Sequence, residues 1–421
     1  MLFLRWWQVL MQNRVAAFAL FVGRRFHQER VPQVAASLTF TTLLALVPVL
    51  TVAVAAASVF PVFDEWTAEA AGLINSTIVP QGADLVFDYL NAFQERANKL
   101  TVIGSVMLLV TSLMLIQTID TAFNHIWRVT ARRPLMMQFL VYWALLTFGP
   151  LLLGVGVSLL FGVLKNSAWA DQYPVLVQCL RLLFGLALST LLLWGLYRFV
   201  PNRYVPARHA LIGAFATALC LECARFLFGW YAGTFNGYAS IYGAFAALPF
   251  FLLWLNLLWT LLLAGAVFTS SLSYWQGEAF RRSIDARGRF DDVLKILLVL
   301  EQAQQNGRAV PVHAFRSRIN MGYDELGELL EKLARHGYVY CGKQGWVLKT
   351  AASAIALDEL FCLFVYRAGG GRMPSDEVNA AIASIMKPCV EAMDMSLAEF
   401  SRRTRAEAAV DFQNRDENQA V

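Results

Sequence analysis

Charge is scarce in this chain. Only 15% of its 421 residues are Asp, Glu, Lys or Arg, and 57% are hydrophobic, whereas a soluble domain carries about 25% charged residues. That deficit argues against an ordinary soluble enzyme and points to a protein whose solvent is partly lipid. Histidine is also rare: His27, His125, His209, His313 and His336 are all there are, and no two are near in sequence. No H-E-x-x-H, H-x-x-E-H or H-x-H-x-D spacing occurs, and there is no G-x-S-x-G elbow or P-loop. A hydrolase or an ATP-driven pump usually announces itself by one of these arrangements. No catalytic residue, metal ligand or cofactor is therefore assigned. The start, MLFLRWWQVLMQNR, lacks a charged leader, a clean apolar core and a small-residue cleavage site, so no cleavable signal is expected. Cys179, Cys220, Cys223, Cys341, Cys362 and Cys389 fall in apolar spans or the C-terminal part, which predicts free thiols rather than a disulfide framework. Cys220 and Cys223 have C-x-x-C spacing, but without a second ligand pair they read as small buried hydrophobes.

What the chain does have is long apolar runs. Residues 31–62 contain no charge at all, more than the roughly 20 residues that cross a bilayer; Pro48 within them predicts a kink. Six spans are predicted inside a domain at 31–280, at about 34–60, 100–120, 135–164, 175–197, 209–230 and 242–272. Residues 63–99 differ: Asp64, Glu65, Glu69, Asp84, Asp88 and Glu95 outnumber Arg96 and Lys99, and two short amphipathic helices are predicted on either side of Pro80-Gln81-Gly82. In residues 1–30, Val15, Phe18, Ala19, Val22 and Phe26 recur at helical spacing among Arg14, Arg24, Arg25 and Arg30. That is an amphipathic helix at the membrane surface, or else one packed on the C-terminal domain. Gly229 and Gly233 have the spacing of a close helix approach, or are turn residues at a loop edge.

Basic residues set the orientation. Arg5, Arg14, Arg24, Arg25 and Arg30 precede the first span. Arg128, Arg132 and Arg133 lie between the second and third, Arg198, Arg203 and Arg208 between the fourth and fifth, and Arg281, Arg282, Arg287 and Arg289 after the sixth. The alternate loops hold Arg96, Lys99, Lys165 and little else. Both termini are expected in the cytoplasm and residues 63–99 outside.

Two polar groups stand out. Glu222 and Arg225 interrupt the fifth span three residues apart, so they share a face and can pair. A charge at that depth costs about 2.5–3.5 kcal/mol on insertion scales, which predicts that the bundle turns this face inward. Two readings stand: a site facing a cavity, or an internal ion pair that fixes helix register. Asp120, Asn124, His125 and Arg128 lie mostly on one face at the cytoplasmic end of the second span. They read as the inner mouth of a pathway (Asp120, Asn124, Arg128) or as interfacial anchors beside Trp127.

Beyond Ile284 the sequence becomes soluble in type. Helices are predicted at 291–306, 312–320 and 322–337, the last ended by Gly337. A hairpin around Gly342 and Gly345 follows at 338–349. Together these make a winged-helix-like cytoplasmic domain at 285–350. A helical, partly disordered tail at 351–421 has its last helix at about 375–402. The third helix carries Asp324, Glu325, Glu328 and Glu331 against Lys332 and Arg335. That acidic face repels phosphates, so nucleic acid is set aside in favour of a cytoplasmic protein partner or self-association through 285–350; membrane lipids are the other expected partner.

An ordered set of segments then carries a resemblance. AASLTFTTLLALVPVL (35–50), TVIGSVMLLVTSLMLIQTIDTAFNHIWRV (101–129), VYWALLTFGPLLLG (141–154), LYRFVPNRYVP (196–206), ALIGAFATAL (210–219) and IYGAFAALPFFLLWLNLLWTLLLAGA (241–266) resemble the YihY/BrkB family of bacterial inner-membrane proteins. Asn124, Trp127, Arg128, Pro150, Tyr197, Pro201, Glu222, Tyr242, Gly243 and Pro249 match its pattern. The resemblance covers about residues 20–275 and implies six spans with both ends inside; the C-terminal domain lies outside the family's common core. Members have been linked to serum resistance, and an older label, ribonuclease BN, finds no metal cluster or basic RNA groove here. The expected architecture is an all-α membrane protein, a six-transmembrane-helix bundle with a small winged-helix-like domain. The expected role is to move or expose an amphiphilic, lipid-like substrate; the alternative is a membrane scaffold recruiting a cytoplasmic partner.

Overall fold

The computed structural model describes residues 13–57, 102–129, 136, 140, 174–234, 247–275, 279–282, 289–316, 318–365 and 376–406. It divides into two compact units, Met1–Ser273 and Tyr274–Val421. The helices described up to the boundary are α1 (Arg14–Gln28), α2 (Val31–Ala57), α3 (Val102–Ile126), α4 (Pro174–Phe199), α5 (Ala207–Thr234) and α6 (Ala247–Trp275). From α2 onward they run 25 to 29 residues, about 37–44 Å of helix against a hydrocarbon core of about 30 Å. Leu182–Phe199, Ala207–Tyr231 and Pro249–Trp275 are long and apolar enough to cross a membrane. The amphipathic pair expected at 63–99 lies outside the described residues, as does the span expected at 135–164 apart from residues 136 and 140. α2 continues through Pro48.

Asn13 starts α1, its Oδ1 accepting the Val15 N–H at 3.1 Å. The helix buries Ala17, Phe18 and Phe21, with Phe18 edge-on to Phe268 of α6. Part of its packing surface is thus supplied by α6. α2 packs along α3, and α4 along α5. Trp259 of α6 donates its Nε1–H to Thr42 Oγ1 of α2 at 3.0 Å.

α5 and α6 cross where glycine meets threonine twice. A Cβ on Gly213 would stand 2.8 Å from Thr269 Cβ, and one on Gly265 would stand 2.9 Å from Thr217 Cβ. Each threonine lies four residues beyond the glycine of its own helix and donates to that glycine's carbonyl, at 2.7 Å in both cases. The hydroxyls are thereby satisfied, and bare backbone faces each threonine. Tyr197 of α4 closes the crossing. Its hydroxyl donates to the Leu262 carbonyl at 2.8 Å and lies 3.2 Å from Thr217 Oγ1. Gly229 and Gly233 sit within α5 and are not turn residues.

In the second unit follow α7 (Ala279–Arg282), α8 (Arg289–Gln305), α9 (Val312–Phe315), α10 (Tyr323–Arg335), strands β1 (Val339–Gly342) and β2 (Gly345–Leu348), α11 (Leu357–Phe364) and α12 (Asp376–Glu391). β1 and β2 form an antiparallel hairpin, and Val310 pairs with Trp346 on the far side of β2. Gly337, at φ +83°, ends α10. Gly345 must be glycine: its φ is +141°, and a Cβ would come within 2.6 Å of the Val310 carbonyl carbon. Leu297 and Leu300 of α8 pack with Leu326, Leu330 and Leu333 of α10, Val339 and Leu348.

Two predicted helices are corrected. The one expected at 312–320 is a single turn, α9, because the chain then bends to bury Ile319 and Met321. The one expected at 375–402 breaks after Glu391 and resumes over 397–406. At the break the Leu357 N–H bonds the Met395 carbonyl and the Leu397 N–H bonds the Ile355 carbonyl, at 3.0 and 2.8 Å. Leu397 thereby joins Ile355, Leu357 and Leu360 in the core shared with α8 and α10. Residues after 350, set apart as a tail in the sequence reading, help build this core.

Candidate functional site

Glu222 lies fifteen residues into α5, about 22 Å along its axis and close to mid-helix. The face of α5 that packs inward is Ala210, Ala214, Thr217 and Ala218. Glu222 comes one turn after Ala218 and Arg225 two turns after it, which places both at the border of that face. Arg225 donates from Nε and Nη2 to the same oxygen, Glu222 Oε2, at 3.0 and 2.8 Å. Glu222 Oε1 and Arg225 Nη1 have no protein partner among the described residues. The side chains are 24% and 34% exposed, so the inward turn expected from their charge is only half made. Leu219, Phe226 and Leu227 beside them are exposed. So are Cys220 and Cys223, which corrects their reading as buried hydrophobes: they flank Glu222 on the outer side of the helix. All six cysteines are free.

The C-terminus of α3 forms a second polar centre. Asn124 Oδ1 accepts the Asn202 backbone N–H at 2.9 Å, and Arg203 Nη2 donates to the Arg128 carbonyl at 2.7 Å. Arg25, buried in α1, donates from Nη2 to the Ile126 carbonyl at 3.1 Å. Two guanidinium groups distant in sequence therefore meet the carbonyl end of α3, where the helix dipole favours cations. Glu29 lies 3.2 Å from His125 Nε2 and 3.9 Å from Arg25 Nε. Phe123 stacks on Trp127 and lies against Tyr197. Asn124 and Arg128 thus hold the α4–α5 connection, and Asp120 stands half-buried one turn earlier. The two sets of predicted residues stay apart: Glu222 and Arg225 form no hydrogen bond or ion pair with Asp120, Asn124 or Arg128. Arg25 was missed as a member of this centre, although its helical spacing from Phe18 and Phe21 puts a cation on the apolar face of α1.

In the second unit, Lys332 of α10 donates to the Leu363 carbonyl at 2.9 Å and lies over the Phe364 ring. The Tyr338 hydroxyl donates to Glu359 of α11 at 3.2 Å. Burial first, then the charge of Glu359, holds the Tyr338 phenol above its ordinary pKa of 10.0. The C-terminal half of α10 is thereby engaged by α11. Among the described residues no three His, Cys, Asp or Glu side chains are grouped to hold a metal ion.

A family model described as Virulence factor BrkB matches residues 22–287, well over half of the chain. The chain belongs to the BrkB family. It is 66% identical over 407 residues to a "UPF0761 membrane protein" of Neisseria meningitidis serogroup C, covering 96% of this chain and 99% of that one. It is 44% identical over 389 residues to a "UPF0761 membrane protein" of Chromobacterium violaceum, covering 92% and 93%. A third such relative, from Janthinobacterium sp., is 34% identical over 389 residues, covering 86% and 88%. No solved structure matches. With relatives of that name and helices of this length and apolarity, this BrkB-family chain is a membrane protein. The second unit lies almost wholly beyond the family match, yet the near full-length relatives share it.

Proposed function

We propose that this BrkB-family protein crosses the bacterial inner membrane six times with both termini in the cytoplasm, and moves or exposes an amphiphilic, lipid-like substrate at Glu222 and Arg225. One observation carries the reading. Midway along an apolar helix, a carboxylate and a guanidinium pair with each other but keep an accessible oxygen and nitrogen uncommitted among the described residues. In hydrocarbon such atoms are expensive unless a polar group reaches them. The exposed Leu219, Phe226 and Leu227 offer the neighbouring apolar surface that the rest of an amphiphile needs. Asp120, Asn124 and Arg128 are read as the inner mouth, with the last two fixing the loop beside it. In a reconstituted lipid-movement assay Glu222→Gln abolishes activity while protein in the membrane stays at the wild-type level; equal activity of the two proteins refutes the site. The topology is tested by labelling: residues around Arg132 and around Asp84 must react from opposite sides.

A second reading, a scaffold for a cytoplasmic partner, is favoured by the second unit. Its order of helix, short helix, helix and hairpin, with Val310 bridged to Trp346, supports a winged-helix reading. The engagement of α10 by α11, together with the acidic residues of α10, suits a protein partner or a second copy better than nucleic acid. Deleting residues 285–421 separates the readings: a transporting bundle keeps activity and a recruiter loses all of it.

A further inference from the structure

We infer that the headgroup served by Glu222 and Arg225 is a zwitterion bearing a phosphate and a primary ammonium, of the phosphoethanolamine kind. This rests on the lipid-handling reading above and adds the chemistry of the ligand. Arg225 uses Nε and Nη2 on Glu222 Oε2, which leaves its Nη1 side for a phosphate oxygen. Glu222 keeps Oε1, and an ionised carboxylate only accepts, so its complement is a donor with N–H groups. A primary ammonium has three such donors and a quaternary ammonium has none. The pair is neutral overall. A net anion such as phosphoglycerol therefore meets the Glu222 charge together with that of Arg225, while a zwitterion laid antiparallel meets an opposite charge at each end. The exposed Phe226 and Leu227, next along the helix, lie where acyl chains would run.

The test uses the full-length protein in liposomes with tail-labelled fluorescent phosphatidylethanolamine, phosphatidylcholine or phosphatidylglycerol, reading the loss of inner-leaflet protection from dithionite. The phosphatidylethanolamine analogue is expected to move at least about tenfold faster than either other, the factor that one charge-assisted hydrogen bond supplies. Arg225→Lys keeps the order of preference, and Glu222→Gln moves none of the three. Equal wild-type rates for the three headgroups, or faster phosphatidylglycerol, overturn the inference while leaving the lipid-handling reading intact. Movement of none overturns both. The wild-type comparison decides even where a variant fails to reach the membrane.

Discussion

Replacing Gly265 by alanine probes the α5–α6 crossing with one methyl group. The new Cβ would overlap Thr217 Oγ1 and stand 2.5 Å from the Tyr197 hydroxyl and 2.9 Å from Thr217 Cβ, where ordinary contact begins at 3.4 Å, so the helices must part by more than about 0.5 Å or the core must absorb the overlap. Parting also stretches the bond from the Tyr197 hydroxyl to the Leu262 carbonyl, now 2.8 Å, in a residue that is fully buried. Overpacking costs about 1–3 kcal/mol, and weakening a buried hydrogen bond adds about 1–2 kcal/mol. The expected loss is about 2–5 kcal/mol, read as a lower unfolding midpoint of the purified protein in detergent. A second substitution localises the cause. In the Gly265→Ala background, Thr217→Gly removes the opposing side chain and should recover part of the loss, so the two changes are strongly non-additive. The reasoning fails if Gly265→Ala unfolds with the wild type, or if the two effects simply add.

Arg25→Ala removes one of the two cations at the carbonyl end of α3 and should cost about 1.5–3 kcal/mol, the range for hydrogen bonds to charged groups. Proteolysis ahead of Val31 should quicken, and an unchanged cleavage rate counts against the contact. Tyr338 gives a pH dependence. Its folded pKa lies above the ordinary 10.0, so the folded chain holds the proton more tightly than the unfolded one. Its contribution is complete below about pH 10 and fades as pH rises through the raised value. In a difference titration of wild type against Tyr338→Phe, the missing phenolate signal should appear above pH 10, and at lower pH once Glu359 is changed to Gln.

The long helices were legible because their signal is local: an uncharged run of span length needs no partner to be read. α4, α5 and α6 each extend two to four residues past their predicted C-terminal ends, as helices do when the flanking polar residues still fit the backbone. The pairing of Glu222 with Arg225 follows from helix geometry alone, and the structure has it. Their half exposure does not follow, since it depends on which neighbour covers which side of α5. The α5–α6 crossing was missed because the motif is G-x-x-x-T on both helices, and only the partner shows each glycine to be obligatory. Arg25 was counted as a positive charge setting topology, while its contact with Ile126 joins residues about a hundred apart. The breaks after α9 and α12 were invisible for a similar reason: burying Ile319, Met321 and Leu397 in a common core outweighs continued helix.

The central claim is that a polar group reaches position 222 at the apolar middle of α5. Glu222→Cys, in a chain whose six cysteines are replaced by serine, tests it with a membrane-impermeant charged thiosulfonate in sealed liposomes. The account expects rapid modification. Reaction with lipid-soluble maleimide alone would contradict it.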